Sequence, residues 1–418
     1  MTNLFFIFAA GKSSRMMAST SKVLFPLGGR RVIDYVIDAS PVDHDHIYVT
    51  VSPEVERYVQ SRYPNIHCVR QDDPKGTGSA FACLVHAAEN RVSMCDVTIT
   101  VALGDLPLIR KEDLQPLDRY RSDADVVVIG MTPPNPSWYG RLVTEGEHVK
   151  GIVESKNATP EEKEITLCNT GVMKIKGQCV HDFLSIMKKN HVTGEYYLTD
   201  LISHVRQAFY INAHWESFLG VNTKEELVHV EKLLQKRWRA RAFKEGAFLT
   251  DPETVFLSFD TQFNKDVIVD PFVRFGPGVV LENNVFVGAF SALSDCTIGA
   301  FSTVGPHACV RSGTCTKEHV TIGSFVDVKQ STLGQHCQAK HLSYIGNATL
   351  GDNVNIGAGT VTCNYDGHFK HDTLIESDTF VGANSSLIAP VTIGKKVTVG
   401  AGTVVGLMSV YSMPQGNV

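Results

Sequence analysis

Two different rhythms of apolar and polar residues divide the chain. Over residues 1 to about 220, short runs rich in Val, Ile and Phe alternate with stretches of helical period. The runs NLFFIF, DHIYVTV, VTITVAL and ADVVVIG predict strands, whereas RRVIDYVIDAS and residues 78–92 predict helices. Because strands and helices alternate, we expect a Rossmann-like α/β domain with a mixed, mostly parallel sheet that binds ligands at the carboxyl ends of its strands.

After about residue 250 the helical patterns stop and a period of six begins. Apolar residues keep this period at Val269, Phe275, Leu281, Val287 and Leu293, at Ile298, Val304 and Val310, and at Ile375, Val381, Leu387, Ile393, Val399 and Val405. The pattern predicts a left-handed parallel β-helix, in which each coil of about eighteen residues has three short strands. We expect these residues to point inward, the glycine that often follows them to serve the corner, and residues 365–373 to leave the β-helix as a loop.

The two halves are joined by a stretch with a clear helical start. Thr223 followed by Glu226 forms a capping box, and TKEELVHVEKLLQKRWRARAF continues at helical period. We therefore predict a nucleotidyltransferase-like domain over 1–222, a linker helix over 223–246 and the β-helix over 247–418.

Composition narrows the classes of function. A formal charge of -5, from 39 basic and 44 acidic residues, gives no electrostatic footprint for nucleic acid. The ten cysteines form no C-x-x-C pair, which favours free thiols in a reducing cytoplasm over a metal cluster. No apolar run approaches the roughly 20 residues of a membrane helix, so we expect neither a nucleic-acid nor a membrane partner.

The opening stretch NLFFIFAAGKSSRMMASTSKVLF allows two interpretations, a targeting peptide or a strand that leads into a phosphate-binding loop. The apolar run 4–10 is short for a signal core and no basic segment precedes it, which disfavours targeting. Gly11 directly after a strand lets backbone N–H groups approach a phosphate. The loop matches neither G-x-G-x-x-G nor the P-loop pattern.

Several motifs resemble one known family. GDNVNIGAGTVTCNYDG at residues 351–367 is the most specific, and GTGSA, GDLPL, NTGVM and GEYYLTD add to it. The chain resembles, over nearly its whole length, the bacterial bifunctional enzymes that make UDP-N-acetylglucosamine. These join a glucosamine-1-phosphate acetyltransferase to an N-acetylglucosamine-1-phosphate uridyltransferase, in the cytoplasm, and their product feeds peptidoglycan and lipopolysaccharide synthesis.

The resemblance implies a nucleotide site in the first half. UTP or the UDP-sugar would contact Phe8, Ala9, Ala10, Gly11, Arg15, Lys22, Gln71, Gly76, Thr77, Gly140, Glu154, Asn169 and Asn222. A sugar-phosphate oxygen attacks the α-phosphate of UTP and pyrophosphate leaves, so cations supply most of the catalysis. Arg15 and Lys22 are the expected clamps, and Asp105 with Asn222 would bind Mg²⁺.

The second half is implied to carry the acetyl transfer from acetyl-CoA, in a homotrimer with sites at the subunit seams. His341 would be the general base. Glucosamine-1-phosphate would contact Arg311, Lys329, Tyr344, Asn355 and Lys370. Acetyl-CoA would contact Ala358, Asn364, Tyr365, Ala383 and Ala401.

The chain departs from the family pattern at several positions. Ser13-Ser14, Ser21 and Leu103 stand where the family usually has Gly-Thr, proline and tyrosine, and we expect weaker substrate affinity without loss of a catalytic charge. Met413 stands where the family's longer tail has an arginine at the CoA phosphates, so acetyl-CoA affinity is expected to be weaker or to depend on other residues.

Two alternatives stay open at this point. The chain could be a sugar-1-phosphate nucleotidyltransferase whose β-helix serves only oligomerisation, as the missing tail cation would suit. It could also be a catalytically silent regulatory homologue, although Arg15, Lys22, Asp105 and His341 are all present.

Overall fold

In the computed structural model, which describes residues 2–11, 13–191 and 193–406, the chain forms two compact units. The first is Met1–Lys232 and the second is Leu233–Val418. The helices have the following bounds: α1 Val32–Asp38, α2 Pro53–Arg62, α3 Thr77–Glu89, α4 Lys111–Arg119, α5 Pro160–Lys163, α6 Val180–Ile186 and α7 Lys224–Glu245.

The first unit is built on a nine-stranded sheet. Its strands are β1 Thr2–Phe8, β4 Ile47–Val51, β5 His67–Arg70, β6 Val97–Leu103, β7 Val126–Met131, β8 Arg141–Glu145, β9 His148–Val153, β10 Cys168–Lys176 and β11 Ala208–Ala213, in the order β5-β4-β1-β6-β10-β7-β11-β9-β8. A hairpin of β2 Pro26–Leu27 and β3 Arg30–Arg31 lies outside this sheet. β10 runs antiparallel to both β6 and β7, so the sheet is mixed.

Side-chain alternation along β1 explains why both faces of this sheet are covered. Phe5 and Ile7 pack into one apolar cluster with residues of α1, α2 and α4. Leu4 and Phe6 pack into a second cluster with residues of α3 and α6. Successive side chains of a strand point to opposite faces, so the run LFFI supplies both cores at once, and β1 and β6 end at the same edge in parallel register.

The second unit is the predicted left-handed parallel β-helix, with three parallel sheets. One has β12 Phe248–Leu249, β14 Ile268–Val269, β17 Phe286–Val287, β20 Thr303–Val304, β23 Thr321–Ser324, β26 Gln338–His341, β29 Asn355–Ile356, β32 Phe380–Val381 and β35 Thr398–Val399. The next has β13 Gln262–Phe263, β16 Val279–Leu281, β19 Cys296–Ile298, β22 Thr314–Thr316, β25 Thr332–Leu333, β28 Ala348–Leu350, β31 Thr373–Ile375 and β34 Val391–Ile393. The third has β15 Arg274–Phe275, β18 Ala292–Leu293, β21 Cys309–Arg311, β24 Asp327–Lys329, β27 Tyr344–Gly346, β30 Val361–Cys363, β33 Ser386–Ile388 and β36 Val404–Val405.

The six-residue period maps onto the interior of this β-helix, because every apolar residue that keeps it is buried. The corners follow only in part the prediction that glycine would serve them. Glycines after the apolar residue are needed for close approach, since a Cβ on Gly299 would lie 2.3 Å from the carbonyl oxygen of Lys317 in the next coil. The left-handed turn is taken by glycine at some corners, such as Gly278 with φ +75° and Gly305 with φ +94°, and by other residues elsewhere, among them Phe290 and Phe325 with φ near +60°.

Four further features of local structure bear on the sequence-based expectations. Glu226 N–H donates to Thr223 Oγ1 at 3.1 Å and Thr223 N–H donates to Glu226 Oε2 at 3.1 Å, which is the predicted capping box at the start of α7. Residues 365–372 form a largely exposed loop before β31, with an antiparallel bridge between Tyr365 and Lys370, whereas Thr373, the predicted end of the loop, is buried in β31. All ten cysteines are unpaired. No helix in the described ranges has the length and apolar character needed to cross a membrane.

Candidate active sites

The loop after β1 is held where two parallel strands end. Ala9 N–H donates to both the carbonyl oxygen (3.1 Å) and Oγ1 (3.2 Å) of Thr50 at the end of β4. Gly104 N–H, after β6, donates to the carbonyl oxygen of Phe8 at 2.9 Å. The loop therefore opens at the carboxyl edge of the sheet, where α/β proteins bind ligands.

A cavity of about 470 Å³ adjoins this loop. Of the predicted nucleotide-contacting residues, its walls include Phe8, Ala9, Ala10, Gly11, Lys22, Gln71, Gly76, Thr77 and Asn222. Gly76 has φ +98° and precedes α3, and a Cβ there would lie 2.4 Å from the carbonyl oxygen of Tyr196. Only glycine fits this position, so the entry into α3 keeps its backbone close to the cavity.

A second cavity, of about 270 Å³, lies on the other side of Asp105. Gly140, Glu154 and Asn169, the residues predicted to hold the sugar, all line it. Thr199 donates its hydroxyl to Glu154 Oε1 at 3.1 Å. Burial raises the pKa of the Glu154 carboxyl, an effect that the Thr199 hydrogen bond partly opposes.

The two cavities share Phe8, Thr77, Leu103, Asp105 and Asn222, so they form one continuous cleft within the first unit. At the junction, Lys22 Nζ forms an ion pair with Asp105 Oδ2 and donates to Asn222 Oδ1 at 2.7 Å. Arg15 Nη2 also donates to Asn222 Oδ1, at 2.9 Å. The structure thus brings together the four residues predicted to clamp phosphate and bind metal.

In the β-helix, a row of polar residues crosses one sheet. Arg311 on β21 is in register with Lys329 on β24, and Asp327 on β24 is in register with Tyr344 on β27. Arg311 donates through Nε and Nη2 to the two carboxylate oxygens of Asp327. This hydrogen-bonded pair raises the pKa of the Arg311 guanidinium, which stays charged.

His341 lies beside that row, at the end of β26 and around the corner from Tyr344. It is in register with Ser324 on β23, and its side chain is exposed. Asn355 follows on the next strand of the same sheet, where it is in register with Gln338 of β26. The predicted base and the predicted sugar-phosphate residues therefore flank one corner of the β-helix.

The residues expected to contact acetyl-CoA follow the same corner along later coils. Asn384 N–H donates to the carbonyl oxygen of Ala358, and Gly402 N–H donates to that of Ala383, each at 2.8 Å. Ala358, Ala383 and Ala401 thus stack one per coil. Asn364 Nδ2 donates to Asn347 Oδ1 at 2.7 Å, and Tyr365 and Lys370 lie in the exposed loop. Met413 lies outside the described residues.

Comparison with known proteins gives the same two-part division. Residues 5–145 match the model of the MobA-like NTP transferase domain, and residues 372–407 match the bacterial transferase hexapeptide model of six repeats. The bifunctional protein GlmU of Azorhizobium caulinodans is 38% identical over 92% of this chain and 87% of its own length. Those of Zymomonas mobilis and Paramagnetospirillum magneticum are 38% and 39% identical over 92% of this chain and 87% and 86% of theirs.

The chain belongs to the GlmU family. A solved structure from Bacillus anthracis, titled as a putative glucose-1-phosphate thymidylyltransferase, also matches with a TM-score of 0.43 and 17% identity, covering 56% of this chain and 95% of that one. Membership confirms the resemblance found in the sequence, the two-part fold and the assignment of the chain as a bifunctional nucleotidyltransferase and acetyltransferase.

Several residues that line the cleft were not predicted from the sequence. Trp138 and Tyr139 border the second cavity, and Thr199 contacts Glu154 there. Thr199 falls within the GEYYLTD motif, which could have suggested it. Burial raises the pKa of the Tyr139 hydroxyl to about 12, so it stays protonated. Trp138 carried no sequence signal, because a lone tryptophan in a loop has no period.

Proposed function

We propose that the chain makes UDP-N-acetylglucosamine by two transfers, acetylation of glucosamine-1-phosphate in the β-helix and uridylylation of the product in the α/β unit. The observation that carries the proposal is the continuous cleft of the first unit, whose two cavities meet at Asp105, Asn222 and Lys22. A cleft with cations at its midpoint suits a reaction that joins a nucleotide to a sugar phosphate.

In the uridylyl transfer, the α-phosphate of UTP would lie at this junction. The phosphate oxygen of N-acetylglucosamine-1-phosphate attacks it, the new P–O bond forms, and the bond to pyrophosphate breaks. Lys22 and Arg15 would stabilise the negative charge on the phosphoryl oxygens. Both cations already meet at the Asn222 side chain, next to the position proposed for the α-phosphate.

Two residues fit the proposed magnesium site. Asp105 Oδ1 is buried and has no hydrogen-bond partner among the described residues. The amide oxygen of Asn222 accepts hydrogen bonds from Lys22 and Arg15 at the same junction. One carboxylate and one amide oxygen are ligands that Mg²⁺ accepts alongside water and phosphate. When bound, Mg²⁺ would neutralise charge on the phosphates. Asp105 and Asn222 would hold it.

In the acetyl transfer, the amine of glucosamine-1-phosphate attacks the thioester carbonyl carbon of acetyl-CoA. His341 would take the proton from the amine, the C–N bond forms, and the C–S bond breaks as the thiol of CoA leaves with that proton. Arg311 and Lys329 would bind the sugar phosphate, and Arg311 would share its donors between that phosphate and Asp327. Tyr344 and Asn355 would contact the sugar.

We expect a homotrimer, in which Lys370, Asn364 and Tyr365 reach a site on a neighbouring copy. Exposed apolar residues along one corner support subunit contacts of this kind. The rings of Phe272, Phe290, His307 and Phe325 stack at about 5 Å on successive coils. A stable monomer in light scattering would contradict an acetyl-transfer site shared between subunits.

We also place the enzyme in the cytoplasm, where its nucleotide and acetyl-CoA substrates are available.

The uridylyl transfer is tested by pyrophosphate release from UTP, N-acetylglucosamine-1-phosphate and Mg²⁺. We expect native protein to release pyrophosphate and Asp105→Asn to lower kcat by about 10²–10³-fold, since electrostatic stabilisation of the transition state has that magnitude. The control is Asp123→Asn, an exposed aspartate paired with Arg121. Undiminished release by Asp105→Asn would contradict the assigned role.

A further inference from the structure

Trp138 is an exposed tryptophan at the rim of the cavity that we assign to the sugar. It lies in the segment between β7 and β8, and 78% of the residue is accessible to solvent. Across the same cavity lie Glu154, Asn169 and Thr199. The cavity therefore has hydrogen-bonding groups on its inner wall and an indole ring at its mouth.

The backbone on either side of Trp138 is held by hydrogen bonds from two side chains, those of Arg141 and Ser155. Arg141, only 2% exposed, donates to the carbonyl oxygen of Pro136 at 2.7 Å and to that of Tyr139. Ser155 Oγ donates to the carbonyl oxygen of Ser137 at 2.6 Å. A buried guanidinium with these partners holds its segment in one conformation, so the exposure of Trp138 does not come from a loose loop.

The ring of Trp138 has no aromatic or cation–π partner among the described residues. Leaving so large an apolar side chain in water forgoes the free energy that burial would give. A rigid aromatic side chain with two torsion angles is also a favourable contact for a ligand, because little conformational entropy is lost on binding. These features together indicate a surface that a ligand covers.

The position of Trp138 indicates that this ligand is the sugar and not the uracil base. The cavity that holds Gln71 and Gly76, where we place uracil, does not include Trp138 in its walls. The cavity that does include it has carboxylate, amide and hydroxyl groups suited to sugar hydroxyls. A pyranose ring with equatorial substituents presents a face of C–H groups, which matches the face of an indole.

We propose that Trp138 is a specificity-determining residue that covers the C–H face of the N-acetylhexosamine in the uridyltransferase site. This inference rests on the proposed function of that site. Trp138 contributes binding of the sugar and takes no part in the chemical step. A sugar lacking a continuous C–H face, such as an epimer with an axial hydroxyl, should gain less from the contact.

Intrinsic fluorescence tests the contact without any turnover. The other two tryptophans are Trp215 and Trp238, the first packed against the core and the second 8% exposed. We expect UDP-N-acetylglucosamine to protect native protein from quenching by acrylamide, while UDP alone gives no such protection. The protection should disappear in Trp138→Phe, which keeps an aromatic ring but loses the reporting indole.

Kinetics of pyrophosphate release test the consequence. Trp138→Ala should raise KM for N-acetylglucosamine-1-phosphate about tenfold, the upper range for an aromatic contact, and change KM for UTP by less than about twofold. Trp138→Phe should restore most of the affinity for the sugar. A purely structural role of Trp138 would instead alter KM for both substrates.

The outcomes distinguish failure of the role proposed for Trp138 from failure of the proposed uridyltransferase function on which it rests. If native protein releases pyrophosphate but Trp138→Ala leaves the sugar KM unchanged, the role of Trp138 is overturned and the uridyltransferase stands. Equal protection by UDP and the UDP-sugar would overturn it as well. If folded native protein releases no pyrophosphate and gains no protection from the UDP-sugar, the proposed function of the cleft fails.

Discussion

The ammonium group of Lys22 lies between the side chains of two residues that we assign to a metal site, and contacts Asp105 Oδ2 and Asn222 Oδ1. A cation at this point neutralises a carboxylate that is only 8% exposed. Because lysine has a long flexible stem, Nζ can turn from the carboxylate to a phosphate when substrate binds. We therefore expect one residue to stabilise the free site and to bind the phosphate during the reaction.

Glu154, which we assign to sugar binding, shows how a buried carboxyl lowers the stability of the fold. Its carboxyl pKa is raised, chiefly by burial, so the folded state holds the proton more tightly than the unfolded state. As pH rises above the ordinary carboxyl value of about 4.3, the free energy of unfolding therefore falls. We expect Glu154→Gln to raise the melting temperature by about 2–4 °C near neutral pH, and the difference from native protein to shrink as pH falls toward about 4.

The same variant should bind sugar less well, since an amide replaces a charged acceptor. Circular dichroism melts at two pH values measure the stability, and KM for N-acetylglucosamine-1-phosphate measures the binding. Glu145→Gln is the matched control, because hydrogen bonding to Lys150 lowers the pKa of that exposed carboxyl. A melting temperature for Glu154→Gln below that of native protein at neutral pH would contradict the argument.

Among single residues, the sequence predicted those site residues that belong to a recognisable motif. Asp105, Asn169 and Glu154 were predicted through the resemblance, and all three line the cleft. Trp138 was not predicted from the sequence. Its proposed role depends on the hydrogen bonds by which the buried Arg141 holds the backbone around it, and these are visible only in the folded structure. An exposed residue that is held in place by buried hydrogen bonds can be recognised only from the folded structure.

Among the elements, the loop between β30 and β31 is organised by one carboxylate. Asp366 accepts from His371 Nε2, from His368 N–H and from Phe369 N–H, each at 2.7 Å. The hydrogen bond from His371 and then those from the backbone hold the pKa of Asp366 well below its usual range. Since the ionised form is favoured, this support exists above the ordinary carboxyl value and is lost only in strong acid.

Asp366→Ala should therefore loosen the loop that carries Tyr365 and Lys370. We expect KM for acetyl-CoA to rise about five- to tenfold, because the loop must be ordered at the cost of binding energy, while uridylyl transfer is unchanged. The measurement is CoA thiol release at varied acetyl-CoA. Asp372→Ala, another exposed aspartate of this segment, is the control. An equal rise in both variants would argue against the role of Asp366.

The break in the six-residue period located this loop from sequence alone, but the corners were less predictable. Phenylalanine rarely adopts a left-handed backbone conformation, so nothing suggested φ of +61° at Phe290. Its ring stacks on Phe272 and on His307 with interplanar angles of 7° and 5°. These stacking contacts offset the backbone strain, and they involve residues about eighteen apart along the chain.

For the molecule as a whole, the predictability of the two units differs for a physical reason. Each coil of the β-helix contacts the coils before and after it, so a local period specifies the fold. The α/β unit depends on distant pairings, such as β10 inserted antiparallel between β6 and β7. Periodicity predicted the strands β1, β4, β6 and β7, whereas the association of Asp105 with Asn222 was predicted only through the family resemblance, and the strand order was not predicted.

The central claim is that one chain carries two separate active sites. The most direct test is CoA thiol release from acetyl-CoA with glucosamine-1-phosphate, run beside pyrophosphate release on the same preparations of native protein, His341→Ala and Asp105→Asn. We predict that His341→Ala loses at least about 100-fold in CoA release and keeps its pyrophosphate release, and that Asp105→Asn does the reverse. CoA release that is absent from folded native protein, or unchanged in His341→Ala, would contradict the account.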